Sequence, residues 1–425
     1  MTAIVGIINS RGIAFAADSA ATHTTSSTTK ISNTANKIFA LSKKHPVGIA
    51  LYNNLDFYGI PWEVIIKRYR DSYLKNKSFP KLVDYINDFW QYLSKELLKK
   101  VADDDQLRLV DFITGCFKNE TIECAKNELL ATKMPIDMPH MFPEIIKFLR
   151  RISAHYALYS KTSDFKDYTK ENFEKYAKNI IDDNIEDLLK DPNCPTEFRD
   201  VFIDALYLII ISDINVYTSY TGLVFWGFGE EELLPAYYQY IVPFAFDNKI
   251  KYYKEKEYIV SYQHNACVAP FAQTDVVNTV VRGIDNDLRN EVKNIIDVSF
   301  EDLKNNIADI LDKNGAPCKL VAAVKGIDID SHVSIIKNKI DDYIQSNYID
   351  KLLTTVAYLS KDDLADMAES LVRMTCLKRH VTTDAESVGG PVDVAVISKG
   401  DGFVWIKRKH YFDANLNYDY FQRIK

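Results

Sequence analysis

The sequence predicts an α+β protein, with sheets packed against each other and against helices, and three features point to it. Two short apolar runs without alternation open the chain, Ala3 to Ile8 and Ile13 to Ala17, joined by a turn with Gly12. A strand with one wet face alternates. Unbroken runs fit strands buried on both faces, against another sheet on one side and helices on the other. After Asn53-Asn54 the apolar period becomes helical and stays so to about residue 212. From Thr221 aromatic and β-branched runs return, and a helix and hairpin follow near the end.

The chain has 425 residues, long enough for two or three average domains. Its hydrophobic content of 47% and charged content of 26% are ordinary for a globular protein. A net charge of −7 argues against nucleic acid as a principal partner, and the basic clusters Lys378-Arg379-His380 and Lys407 to His410 read as solvated surface. Cys116, Cys124, Cys194, Cys267, Cys318 and Cys376 form no CxxC pair and no metal-ligand spacing with histidine. They read as free thiols of a reducing compartment. The strongest apolar run, Ala205 to Ile211, is too short to span a bilayer. Ala14-Phe15-Ala16 mimics a signal cleavage site, but no basic segment precedes it and Arg11 interrupts the run. The expectation is a cytoplasmic protein with no membrane partner.

In chain order, the Ser/Thr-rich stretch 22–34 fits a loop or a hairpin, and Ile38 to Leu41 and Val47 to Leu51 fit strands turned at Lys43 to Pro46. Pro61 suits a first helical position, with Trp62, Ile65, Ile66 and Tyr69 behind it at helical spacing. Pro80 opens a second helix whose face carries Leu82, Ile86, Phe89, Trp90, Leu93 and Leu97. The aromatic stripes that follow, such as Phe173 and Tyr176, read as core. Segments 223–229, 236–246 and 257–263 read as strands, and 266–285 as strand, turn and helix. Residues 286–359 look helical, broken at Asn314-Gly315 and Pro317. Ser360 with Asp363 makes a near capping box for a helix buried through Leu364, Met367, Ala368, Leu371 and Val372. Residues 392–397 and 403–406 form a hairpin around Lys399-Gly400-Asp401-Gly402.

Thr2 follows the initiator Met1, so removal of Met1 makes it N-terminal. A free N-terminal threonine carries its own base, the α-amine beside its hydroxyl. Gly6, Gly12, Ala16-Ala17-Asp18-Ser19 and Lys37 follow. In that order they resemble the start of a mature proteasome β-type subunit, one of the N-terminal-nucleophile (Ntn) hydrolases. The resemblance covers about 1–60, 220–285 and 360–407. It implies a four-layer αββα Ntn-hydrolase sandwich, here a single domain over 1–425, with 61–212 largely inserted and 286–359 a second helical insertion.

The chemistry follows from the residues. An α-amine with an ordinary pKa of about 7.7–8 is mostly protonated near neutrality, and a nearby cation lowers that value. Lys37 is the candidate cation and Asp18 the group that holds it charged. The amine then takes the Thr2 hydroxyl proton, Oγ attacks a carbonyl, and water releases the acyl-enzyme. The resemblance adds Asp384 and Ser387, which match its Asp-x-x-Ser before a glycine pair and would orient the amine. Val388 intervenes before Gly389-Gly390, a departure from its pattern. The resemblance also implies a backbone oxyanion donor after the fourth strand, where this chain has Tyr52 and Asn53 in place of glycine. A Gly-Ser-Gly of the family is replaced by Pro270-Phe271-Ala272-Gln273, in which Gln273 offers a hydrogen-bonding group.

The implied activity is a threonine peptidase acting on a peptide or amide substrate, with no cofactor and no metal. A homo-oligomer is a further implication, because the family forms rings. Two other readings stay open: hydrolysis of a small-molecule amide on the same fold, and an inactive assembly or binding protein. Thr2→Ala separates the last from the first two.

Overall fold

The computed structural model describes residues 2–24, 29–382 and 388–417. Its strands are β1 (Ile4–Asn9), β2 (Gly12–Ala17), β3 (Ala21–Thr24), β4 (Thr29–Ser32), β5 (Ile38–Ala40), β6 (Val47–Asn53), β7 (Asp56–Phe57) and β8 (Ile60–Pro61). Then come helices α1 (Trp62–Arg68), α2 (Leu82–Tyr92), α3 (Asp103–Thr132), α4 (Met138–Tyr156), α5 (Lys170–Leu189) and α6 (Phe198–Ile211). Strands β9 (Thr221–Gly227), β10 (Ala236–Phe246), β11 (Lys249–Ile259) and β12 (Ala266–Ala272) follow. Helices α7 (Thr274–Arg282), α8 (Asn286–Lys313), α9 (Cys318–Lys325), α10 (Asp330–Ile344), α11 (Asp350–Val356) and α12 (Lys361–Val381) precede β13 (Asp393–Ser398) and β14 (Gly402–Lys407). The architecture is α+β with antiparallel sheets.

The chain divides into two compact units, one of Met1–Ala35, Val260–Ser398 and Val404–Lys425, the other of Asn36–Ile259 and Lys399–Phe403. The first holds a sheet in the order β12-β1-β2-β13-β14 and the β3-β4 hairpin. Along β1 and β2 every residue is buried, as the unbroken apolar runs predict. Ala3, Val5, Ile7, Ala14 and Ala16 share a core with Leu364, Ala368, Leu371 and Val372 of α12. Gly6 pairs with Phe15, and a Cβ there would meet the Phe15 ring at 2.9 Å. Asn9 ties the end of β1 to the link before α12, its amide donating to the carbonyls of Val356 at 2.9 Å and Leu359 at 3.0 Å. The Ser360 cap forms as expected: its hydroxyl accepts from the Asp363 N–H, and the Asp363 carboxylate accepts from the Ser360 N–H.

The second unit holds a sheet in the order β11-β10-β9-β6-β5. The α1–α2 segment packs on it: Phe89 lies 5.4 Å from Phe225 and Trp90 stacks on Tyr252 at 4.1 Å. Trp62 donates from Nε1 to Thr221 at 2.8 Å. Helices α3 to α6 bury a separate core, with Phe117, Phe142, Phe173 and Phe202, that reaches the sheet at Phe244 and Phe246 of β10.

One strand differs from the sequence reading. The third strand of this group spans Lys249–Ile259, not 257–263. Its position is set by the two-residue turn Asp247-Asn248, both left-handed at φ 48 and 56. That geometry is the type I′ hairpin turn, whose twist matches the flanking strands. It aligns β11 with β10 from Lys249 on, although Lys249 to Glu257 is too charged to read as a strand by pattern.

Among the described residues no helix is long and apolar enough to cross a membrane. Among them, too, no group of His, Cys, Asp and Glu is arranged to hold a metal ion.

Candidate active site

In the first unit the site is organised by a carboxylate. Thr2 enters β1 almost covered, at 4% exposure, and Asp18 leaves β2 at 1%. The β1–β2 pairing of Ile4 with Ala17 brings the two ends together. Asp18 Oδ1 accepts from the Ala3 N–H at 2.9 Å, and the Asp18 N–H returns a bond to the Ala3 carbonyl at 3.1 Å. Its Oδ2 accepts from the N–H groups of Ala20 and Gly389, both at 3.1 Å. Three backbone N–H groups thus converge on one buried side chain. The peptide next to Thr2, the turn after β2 and the loop before β13 are thereby fixed to one side chain.

The loop is also fixed from its other side. The Ser19 N–H donates to the Gly389 carbonyl at 3.1 Å, and the Ser19 hydroxyl donates to the Pro391 carbonyl. Gly390 is left-handed at φ 76, with Asn33 only 2.8 Å from where a Cβ would stand. Asp384 and Ser387 lie outside the described residues. Their neighbours are placed, Thr382 at the end of α12 and Val388 in the sheet–helix core.

Across β1 from β2 runs β12, where Ala272 pairs with Ile4. Gln273 follows in the left-handed region, φ 54 and ψ 59, and caps α7. A cleft of about 440 Å³ opens at this turn, lined by Gln273, Thr274, Asp275, Asp287, Lys378 and Arg379. Asp275 binds Lys378 at 2.9 Å and Arg379 at 3.1 Å, which anchors α7 to the last turns of α12. Burial alone would raise the Asp275 carboxyl, but these two cations outweigh it and hold it below the usual range. Sequence reading named Gln273 only as a substitute hydrogen-bonding group. Nothing in the residue order shows its backbone conformation.

In the second unit Lys37 has no exposure at all. Lysine is almost never fully buried without a compensating partner, so this residue is not an ordinary surface charge. Its carbonyl accepts from the Leu51 N–H at 2.9 Å, just before β5. Successive N–H groups of a strand point to alternate neighbours. The Asn53 N–H therefore lies on the Lys37 side of β6, beyond the last β5–β6 pair, and the Tyr52 N–H lies on the β9 side. Of the two, Asn53 is the better placed backbone donor. Asn53 is exposed and left-handed, at φ 69. Tyr52 is fixed by its side chain instead, which accepts from Gln239 Nε2 at 2.6 Å. Burial first, then the Glu255 carboxylate, push its phenol far above the ordinary value.

No family model matches the chain, and no curated protein matches it.

Proposed function

We propose that the chain is a threonine-dependent amide hydrolase of the Ntn type, a proteasome-like peptidase that becomes active when Met1 is removed. The reading places the two sheets in a four-layer αββα sandwich. Thr2 is nucleophile and, through its amine, base. On this reading Lys37, as a nearby cation, favours the neutral amine, Asp18 positions Lys37, and Asp384 with Ser387 orient the amine. The amine takes the Oγ proton, and Oγ adds to the substrate carbonyl. The tetrahedral species then expels the substrate amine, which leaves with that proton. Water, deprotonated by the same amine, frees the acid. The Asn53 N–H receives the oxyanion, where a single donor accounts for about 100–1000-fold in rate.

The observation that supports this best is the Asp18 carboxylate. It binds the first peptide N–H beyond Thr2 and the Gly389 N–H two residues beyond Ser387. The test is the intact mass of the purified protein, before and after a threonine-directed covalent inhibitor. The expected result is loss of Met1 and one adduct on Thr2, absent from Thr2→Ala. Retention of Met1 with no adduct leaves no base at the nucleophile and overturns the proposal.

A further inference from the structure

In the second unit a chain of polar side chains crosses the sheet from β6 to β11 and begins beside Asn53. Tyr52 of β6 pairs with Gly222 of β9. A Cβ on Gly222 would stand 1.9 Å from the Tyr52 ring, so the ring lies across β9 in the space that glycine leaves. The phenol oxygen then reaches β10, where Gln239 Nε2 donates to it at 2.6 Å. Gln239 Nε2 also donates to Glu255 Oε2 of β11, and the Tyr52 hydroxyl stands 3.5 Å from that same oxygen. Both hydrogens of the amide nitrogen are thereby used. Tyr52 and Gln239 are buried, and Glu255 is exposed.

The reach of Glu255 comes from an irregular register. Gln239 pairs with Lys256 and Tyr240 with Lys254, which leaves Glu255 as the extra residue of a β-bulge. A bulge re-aims one side chain, and bulges are common next to active sites. Here the carboxylate meets the Gln239 amide. Gln239 is not there for stability alone, because its Oε1 is buried without a partner among the described residues, and an orphaned acceptor is destabilising. What the amide does is fix the far end of the Tyr52 ring, against which Tyr220 packs edge-on at 6.3 Å. The other neighbour of Asn53 is fixed as well. The Asn54 N–H donates to the Tyr220 carbonyl at 3.2 Å, and its carbonyl accepts from the Thr221 hydroxyl at 3.0 Å. Left-handed Asn53 is thus held from both sides.

We propose that Tyr52, Gln239 and Glu255 are positioning residues, which through the Tyr52 side chain hold the Asn53 peptide so that its N–H meets the oxyanion. This rests on the hydrolase reading, in which that N–H is the donor. Such a donor acts only within about 2.7–3.1 Å of the developing charge. A displacement of about 1 Å is enough to lose on the order of 100-fold in rate. None of the three side chains touches the substrate, and each acts through the backbone next to Tyr52.

The test compares the affinities of a peptide aldehyde and the matching peptide alcohol for the full chain. With the aldehyde, a bond forms from Thr2 Oγ to the carbonyl carbon, and the Oγ proton passes to the former carbonyl oxygen, which takes the place of the oxyanion. The alcohol binds without that bond and reports ground-state binding alone. Gln239→Leu is expected to weaken the aldehyde by about 10–100-fold, with the alcohol affinity and the urea unfolding midpoint unchanged. Tyr52→Phe, which keeps the ring over Gly222 and loses its tie, is expected to do the same. Glu255→Ala is expected to follow, and Glu255→Gln to restore most of the affinity, because an amide oxygen still accepts from Gln239. Variants that bind the aldehyde like the wild type overturn the proposal. Variants that lose the alcohol and the unfolding midpoint along with the aldehyde overturn it equally, since the three residues then only support the fold. A wild-type chain that forms no adduct on Thr2 overturns the hydrolase reading itself, and this assignment with it.

Discussion

Replacing Lys251 by methionine is expected to stabilise the protein most in mild acid and hardly at all in mild base. Lys251 lies in β11 at 2% exposure, its ammonium donating to the Ile209 carbonyl at 3.1 Å, near the end of α6. The cavity beside it has about 10 Å³, lined by Ile113, Ile209, Ile210 and Phe244 among others. That is room for one water at most. Burial pulls its pKa from 10.5 to about 7, with the Asp213 carboxylate opposing. At 1.36 kcal/mol per tenfold, that shift is a penalty of about 5 kcal/mol on the folded state. The unfolded chain holds the proton more tightly, so the penalty is full below pH 7 and fades as pH rises toward 10.5. At pH 9 about 2 kcal/mol remains. Methionine removes the charge but leaves the Ile209 carbonyl without its donor, a loss of about 1–3 kcal/mol. The net gain is therefore about 2–4 kcal/mol at pH 6.5 and close to zero at pH 9. Urea unfolding of both proteins at pH 6.5, 7.5, 8.5 and 9 measures the gap, and groups common to both cancel. A gap that stays flat across this range, or a methionine variant less stable at pH 6.5, would refute a buried, weakly basic Lys251.

Asp18→Asn keeps the shape but turns one acceptor oxygen into a donor. At least one of the Ala3, Ala20 and Gly389 N–H groups is then orphaned, and a loss of about 1–3 kcal/mol is expected in denaturant unfolding, with slower inhibitor labelling of Thr2. Unchanged stability would show that the carboxylate is not what holds these segments. Asn53→Ala is expected to lose about 1 kcal/mol, because Asn53 is left-handed, whereas Asn53→Gly keeps stability and labelling rate because the donor is backbone. Equal stability of the two variants would refute a left-handed residue at this position.

The parts of the fold that were legible are those where one residue type has one physical use. Apolar runs without alternation located β1 and β2, and Ser360 with Asp363 located the start of α12. Pro317 and Gly315 marked the break between α8 and α9. What was not legible depends on partners far along the chain. Lys251 reads as a surface lysine, and only the α6 end and Phe244 around it make it a buried one. Asp247-Asn248 aligns β11, but the charged run after it does not read as a strand. Gln273 is left-handed because β12 must turn into α7, and no residue preference announces that for glutamine. Lys37 was legible as a candidate through its place after Asp18, not through its burial.

Asp18 shows the same limit at the site itself. Its place after Ala16-Ala17 suggested one task, holding Lys37. The described contacts give it another, which is to gather three backbone segments. The N–H groups it binds among the described residues belong to Ala3, Ala20 and Gly389, which come from the start of β1, the turn after β2 and the segment that follows Ser387. On the proposed reading, that carboxylate therefore ties the strand that carries the nucleophile to the segment next to Asp384 and Ser387, and the Asp18→Asn variant tests the tie through both stability and the labelling of Thr2.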